Sequence, residues 1–118
     1  MPIERLHKGP RMSQAVIHNK TVYLAGQVAT NAAGKNVAEQ TTDILATIDT
    51  LLAEAKTDKS RLISATIWLT DMATFGQMNQ VWDRWVKPGA TPARATVESA
   101  QLAGPEYKIE IAVIAAQP

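Results

Sequence analysis

The segment Ala93-Arg94-Ala95-Thr96-Val97-Glu98 reads as a short strand, so Arg94, Thr96 and Glu98 share one of its faces. Arg94 stands between two alanines and follows Pro92. A guanidinium in so apolar a setting points to anion binding, because its planar fork holds a carboxylate through two parallel hydrogen bonds. The same residue also fits a surface or interface salt bridge to Glu98 or Glu110, since charged strand residues are usually solvated. Glu110 interrupts an apolar run, Ile109-Glu110-Ile111. A carboxylate in partly buried surroundings can donate a proton or hold a water; the alternative is an outward, solvated side chain beside Lys108. Gly26, in Ala25-Gly26-Gln27, closes a strand. A glycine there either lets a ligand or another backbone approach closely or marks a bend of the sheet. Asn79 breaks an apolar helical stripe and reads as structural. Trp82 and Trp85 read as core or subunit contacts, and His7 and His18 as surface residues.

Composition narrows the chemistry. Twelve basic and eleven acidic side chains leave a net charge of +1, which argues against a nucleic-acid protein working through a basic stripe. The absence of cysteine excludes disulfides, thiolate metal sites and cysteine nucleophiles, and two histidines cannot build a three-histidine metal site. The 118 residues correspond to one domain, with 46% hydrophobic content to fill its core. Met1 to His7 lacks the apolar run of a secretory leader. The longest unbroken apolar run, Ile111 to Ala116, is six residues, against the roughly 20 of a membrane span. The expectation is a soluble cytoplasmic protein with no membrane partner.

The elements that would position these residues follow from periodicity. Ala15–His18 and Thr21–Gly26 predict two strands joined by a two-residue turn at Asn19-Lys20, and Ile3–Leu6 predicts a further edge strand. Ile44, Leu45, Ile48, Leu51, Leu52 and Ala55 recur at helical spacing. Asn36 and Glu39 resemble a capping box, which predicts a helix over about 37–56. Leu62–Thr70 alternates as a strand, with Ile63, Ala65, Ile67 and Leu69 on one face. Leu62, Ser64, Thr66, Trp68 and Thr70 fall on the other. Phe75, Met78, Val81, Trp82, Trp85 and Val86 predict a second helix, stopped by Pro88-Gly89. Ala93–Glu98 and Tyr107–Ala115 complete the set. The strand–helix–strand unit over 62–98 predicts parallel pairing. The fold class is α+β: a mixed sheet with two amphipathic helices on one face.

Two helices leave the second sheet face bare, yet Leu62, Trp68 and Ile114 are assigned to it. Large apolar patches are rarely left in water, so a symmetric oligomer covering that face is expected; packing of these few residues under loops is the alternative.

In their order along the chain, several motifs resemble the RidA family, also called YjgF or L-PSP proteins. They are Gly9-Pro10 with Ser13-Gln14-Ala15, then Val22-Tyr23-Leu24-Ala25-Gly26-Gln27, then Ala65-Thr66-Ile67-Trp68-Leu69-Thr70-Asp71. Phe75 with Asn79, Pro92 to Glu98 and Lys108-Ile109-Glu110-Ile111 complete the match. The resemblance covers nearly the whole chain and is nearest the YoaB-type branch. It implies a chorismate-mutase-like fold, a homotrimer with sites in clefts between subunits, and no cofactor or metal. It also implies an enamine/imine deaminase that hydrolyses 2-aminoacrylate-type intermediates to 2-keto acids and ammonia.

Carried over by position, Arg94 matches the family's carboxylate-binding arginine and Glu110 its acidic residue that holds water or supplies a proton. Gly26 matches a glycine whose backbone lines the pocket. Thr96 stands where many members have Cys and could bond the carboxylate through its hydroxyl. Ala25 stands where many have Ser, and Met12 near a usual Tyr, so two hydroxyl groups are missing. Those departures keep open a non-catalytic small-carboxylate binding protein that uses the same cleft. Endoribonuclease activity, assigned to some members, fits poorly with the near-neutral charge.

Overall fold

Asn19 (φ 52°) and Lys20 (φ 60°) both adopt left-handed backbone and form the expected two-residue turn. The turn joins β2 (Ala15–His18) to β3 (Thr21–Leu24), with His18 opposite Thr21. The computed structural model describes residues 2–118; Met1, part of the N-terminal stretch read above, lies outside them. The remaining elements are β1 (Glu4–Leu6), β4 (Gln27–Val28), α1 (Val37–Glu54), β5 (Leu62–Leu69), α2 (Phe75–Trp85), β6 (Ala93–Glu98) and β7 (Ile109–Ala116).

The strands form one seven-stranded mixed sheet in the order β1-β2-β3-β7-β5-β6, with β4 also pairing β7. Only the β5–β6 pair is parallel, as the strand–helix–strand reading requires. β6 is an edge strand, so Arg94 lies at the rim of the sheet.

α1 begins where Asn36 Oδ1 accepts a hydrogen bond from the Glu39 backbone N–H at 2.8 Å. It ends in a Schellman pattern, with Thr57 N–H donating to Leu52 O and Lys56 N–H to Ala53 O, and with Lys56 at φ 64°. Ile44, Ile48 and Leu52 of α1 are fully buried against Ile67, Leu69, Ile109 and Ile111 of the sheet. Gln40, also fully buried on α1, satisfies its amide on the chain leading into β7. Its Nε2 donates to Glu106 O at 2.8 Å and its Oε1 accepts from Lys108 N–H at 2.9 Å. This clamp fixes where β7 starts, and hence where Glu110 stands. After α1, Asp58 caps a short turn over Lys59–Arg61, and hydrogen bonds from the Ser60 hydroxyl and backbone hold its carboxyl below the usual carboxylate value.

Two expectations need correction. Strand alternation assigns Ile63 to the buried face and Leu62 to the open one. In the structure a β-bulge separates Leu62 from Ser64, so Leu62 pairs with Ala115 and Ser64 with Ile114. The extra residue reverses the phase: Leu62 is buried and Ile63 is 48% exposed. The predicted strand Thr21–Gly26 is in fact interrupted. β3 ends at Leu24, Ala25 and Gly26 form a jog, and β4 resumes pairing with β7.

The molecule measures 42 × 38 × 21 Å, and its thin dimension holds one sheet and one helix layer. Tyr23 is exposed on the second face, and Trp68 and Ile114 are half-buried there. No helix among the described residues is long and apolar enough to cross a membrane. The bulge predicts that Leu62→Ala destabilises by about 2–5 kcal/mol, whereas Ile63→Ala changes stability by about 0.5 kcal/mol. Denaturant unfolding of both variants checks this; equal losses would place both residues in the core.

Candidate functional site

Arg94 pairs in register with Ala65, which is buried on the helix side of the sheet. The guanidinium accordingly turns toward α2, where its carbon lies 5.3 Å from the Trp82 ring centroid and 5.8 Å from that of Phe75. Phe75, Asn79 and Trp82 are spaced to share one face of that helix. The two rings hold the cation through their quadrupoles, typically by about 0.5–2 kcal/mol for each contact. They leave its N–H fork unspent: among the described residues the only contact within 4 Å between a basic side chain and a carboxylate joins His7 to Glu54. The sequence alternative of a salt bridge from Arg94 to Glu98 or Glu110 is therefore not realised within the chain. Glu98 instead accepts a hydrogen bond from the Met72 backbone N–H at 3.0 Å.

Two oxygens near this cation are buried without a hydrogen-bond partner: Thr96 Oγ1, two residues along the same strand face, and Asn79 Oδ1, between the two rings in sequence. Each unsatisfied buried atom is costly, by about 1–3 kcal/mol. Asn79 Oδ1 thus makes none of the hydrogen bonds that a structural role would use. The sequence reading does not pair Phe75 or Trp82 with Arg94, although their spacing of seven residues on one helix face carries the signal.

Glu110 occupies a different corner. It pairs with Trp68 of β5 and Val28 of β4, and it lies on the open face. Its carboxyl leans over the jog between β3 and β4: a Cβ added at Gly26 would collide with Glu110 Oε2 and lie 2.9 Å from its carboxyl carbon. Gly26 is thus a close-approach position, and the close neighbour is Glu110. The jog is held by Ala25 N–H donating to Gln14 O at 2.9 Å. Buried Gln27 adds Nε2 bonds to Gln14 Oε1 at 2.8 Å and to Ala25 O at 3.0 Å. Met12 reaches this corner through Gln14, whose Nε2 lies 3.9 Å from its sulfur. Met12 is exposed and Ala25 half-buried, and neither supplies a hydroxyl.

The six sequence candidates thus fall into two groups. Arg94 and Thr96 lie at the sheet rim under α2; Glu110, Gly26, Ala25 and Met12 gather at the jog. The two groups are two strands and three residues apart in register, about 14 Å between backbones, and they use opposite faces of the sheet. A single copy of the chain does not bring Arg94 and Glu110 together.

A family model described as Endoribonuclease L-PSP matches residues 3–117. The RutC family protein YoaB of Escherichia coli is 43% identical over 116 residues, covering 98% of this chain and 99% of its own. A crystal structure of a YjgF-family protein from Neisseria meningitidis superposes with a TM-score of 0.95 at 46% identity, covering 100% of this chain and 97% of the other. At greater distance, a rat protein named 2-iminobutanoate/2-iminopropanoate deaminase is 31% identical over 110 residues, 89% of this chain and 79% of its own. Matched from end to end in sequence and superposed in fold, the chain belongs to the RidA/YjgF family, whose family model carries the L-PSP description.

Proposed function

We propose that this protein is an enamine/imine deaminase acting on small 2-imino acids, with each site assembled from two protomers of a homotrimer. The observation that carries the reading is the pair of half-sites. Arg94 offers a fork that no carboxylate of its own chain occupies, and Glu110 offers a carboxylate over Gly26. Each is incomplete alone. The open face with Tyr23, Trp68 and Ile114 supplies the apolar surface that a second copy would cover. The rat relative's name supports the reaction class.

The chemistry asked of these groups is modest. The substrate carboxylate seats on the Arg94 fork, with Thr96 Oγ1 free to add a hydrogen bond. An enamine takes a proton at carbon and gives one up from nitrogen, becoming the imine. Glu110 of the neighbouring protomer orients a water against the imine carbon and takes up its proton. The C–O bond forms as the C=N pair moves to nitrogen, which takes the proton back from Glu110; the hydroxyl proton then also passes to nitrogen, and ammonia leaves with its bonding electrons to give the 2-oxo acid. Fixing the substrate by its carboxylate supplies the positioning, and Glu110 supplies proton transfer.

The missing hydroxyls at Met12 and Ala25 favour a second reading, a carboxylate-binding protein without catalysis. It predicts binding of a 2-oxo acid by calorimetry while imine hydrolysis stays at background. The L-PSP description suggests a third reading, ribonuclease action, which an RNA cleavage assay on the purified protein tests.

Three variants test the deaminase reading. Arg94→Ala lowers kcat/KM on 2-iminopropanoate by about 10²-fold or more, because orientation is lost. Glu110→Gln lowers kcat by about 10²–10⁴-fold while 2-oxo acid binding persists. Wild-type turnover in either variant contradicts the mechanism. Gly26→Ala displaces the flexible end of Glu110 rather than any backbone. Its activity therefore falls at least about tenfold, while its melting temperature moves by only a few degrees; unchanged activity would show that the placement of Glu110 over Gly26 is not used.

A further inference from the structure

A concavity of about 610 Å³ opens beyond the ends of β5 and β6, on the walls of the β6–β7 loop. It has no part in the chemistry above, but it adjoins it. Trp68 pairs with Glu110, and the ladder continues as Thr70 N–H donates to Lys108 O at 3.1 Å. Thr70, on the concavity wall, is therefore the next side chain on the face that carries Trp68 and Glu110, about 7 Å further along.

The character of the wall is specific. Leu102, Ala103, Pro105 and Tyr107 supply apolar surface beside the polar groups of Thr70, Gln101 and the loop backbone; the lining side chains are uncharged, and the Glu106 carboxylate lies against Gly104 at the wall. The loop is also tied down. Ser99 N–H donates to Leu69 O at 2.9 Å and Ser99 Oγ to Gln101 O at 2.8 Å; Tyr107 N–H donates to Gly104 O at 3.1 Å. At its far end Glu106 O accepts from Gly34 N–H and from the buried Gln40 amide. A preformed, neutral hollow of this size is what a binding site for an uncharged organic group needs. It has the volume of roughly twenty water molecules, far more than the methyl group of 2-iminopropanoate fills.

We infer that this concavity receives the substrate's side chain, which makes the preferred substrates 2-imino acids with extended neutral side chains, branched aliphatic or aromatic. The inference rests on the deaminase reading, since it takes the reacting carbon to lie at Glu110. It assigns specificity to Leu102, Ala103 and Tyr107.

The test compares the imines of leucine and alanine, each generated in the assay by an amino-acid oxidase. Wild-type protein favours the leucine imine in kcat/KM by about tenfold or more, the lower end of what one methylene contributes in an apolar pocket. Ala103 is exposed, so Ala103→Trp fills the hollow from its rim without burying new bulk in the core. In that variant the leucine-to-alanine ratio falls at least about tenfold. A ratio that is the same in wild type and variant overturns the inference and leaves the deaminase reading standing. If wild type hydrolyses neither imine, the deaminase reading fails, and calorimetry decides the pocket. Tighter binding of 4-methyl-2-oxopentanoate than of pyruvate, lost in Ala103→Trp, supports it; equal affinities overturn it.

Discussion

A guanidinium and a carboxylate on opposite faces of one sheet cannot hold the two ends of the same small molecule. Side chains along a strand alternate strictly, and the hydrogen-bonded register of β6, β5 and β7 leaves no freedom to turn one of them over. Arg94 is committed to the helix side by its pairing with Ala65, and Glu110 to the open side by its pairing with Trp68. The constraint is therefore built into the core. Ile109, Ile111 and Val113 of the same strand are buried, and a one-residue slip that moved Glu110 to the other face would expose them all. In the proposed trimer, association of copies would join the two groups, and the sheet face available for it is the one no helix covers.

Each of the two proposed half-sites is held in a fixed geometry. The rings of Phe75 and Trp82 fix Arg94 through contacts that use none of its N–H groups, so its hydrogen-bonding capacity stays available to an anion. Glu110 rests over a position where any side chain would displace it, and Gln14, Gln27 and Gln40 secure the backbone on either side. Three buried or half-buried glutamines thus spend their amides on main-chain and partner groups near the site, which supports a fixed geometry.

Much of this was legible in the sequence. Helical spacing from Ile44 to Ala55, the Asn36 cap, the Asn19-Lys20 turn and the parallel unit over 62–98 all follow from period and capping chemistry, and the structure agrees with them. The bulge at Ile63 was not legible. Alternation assumes one residue per ladder position, and an inserted residue between Leu62 and Ser64 reverses the phase without any glycine or proline to mark it. The jog at Gly26 was visible as a glycine, but its occupant, Glu110, lies 84 positions later in the chain and depends on tertiary register. The same limit hid the partnership of Arg94 with Phe75 and Trp82, and the walled hollow beside Thr70, because both form only when distant segments are brought side by side.

The central claim is that a working site takes Arg94 from one protomer and Glu110 from the next, and subunit mixing tests it most directly. Arg94→Ala and Glu110→Gln proteins, each inactive alone, are unfolded together in equal amounts and refolded. A site shared across a ring of three restores about a quarter of wild-type imine hydrolysis, since that fraction of interfaces joins two intact halves. Mixed oligomers that remain as inactive as either parent would contradict the account.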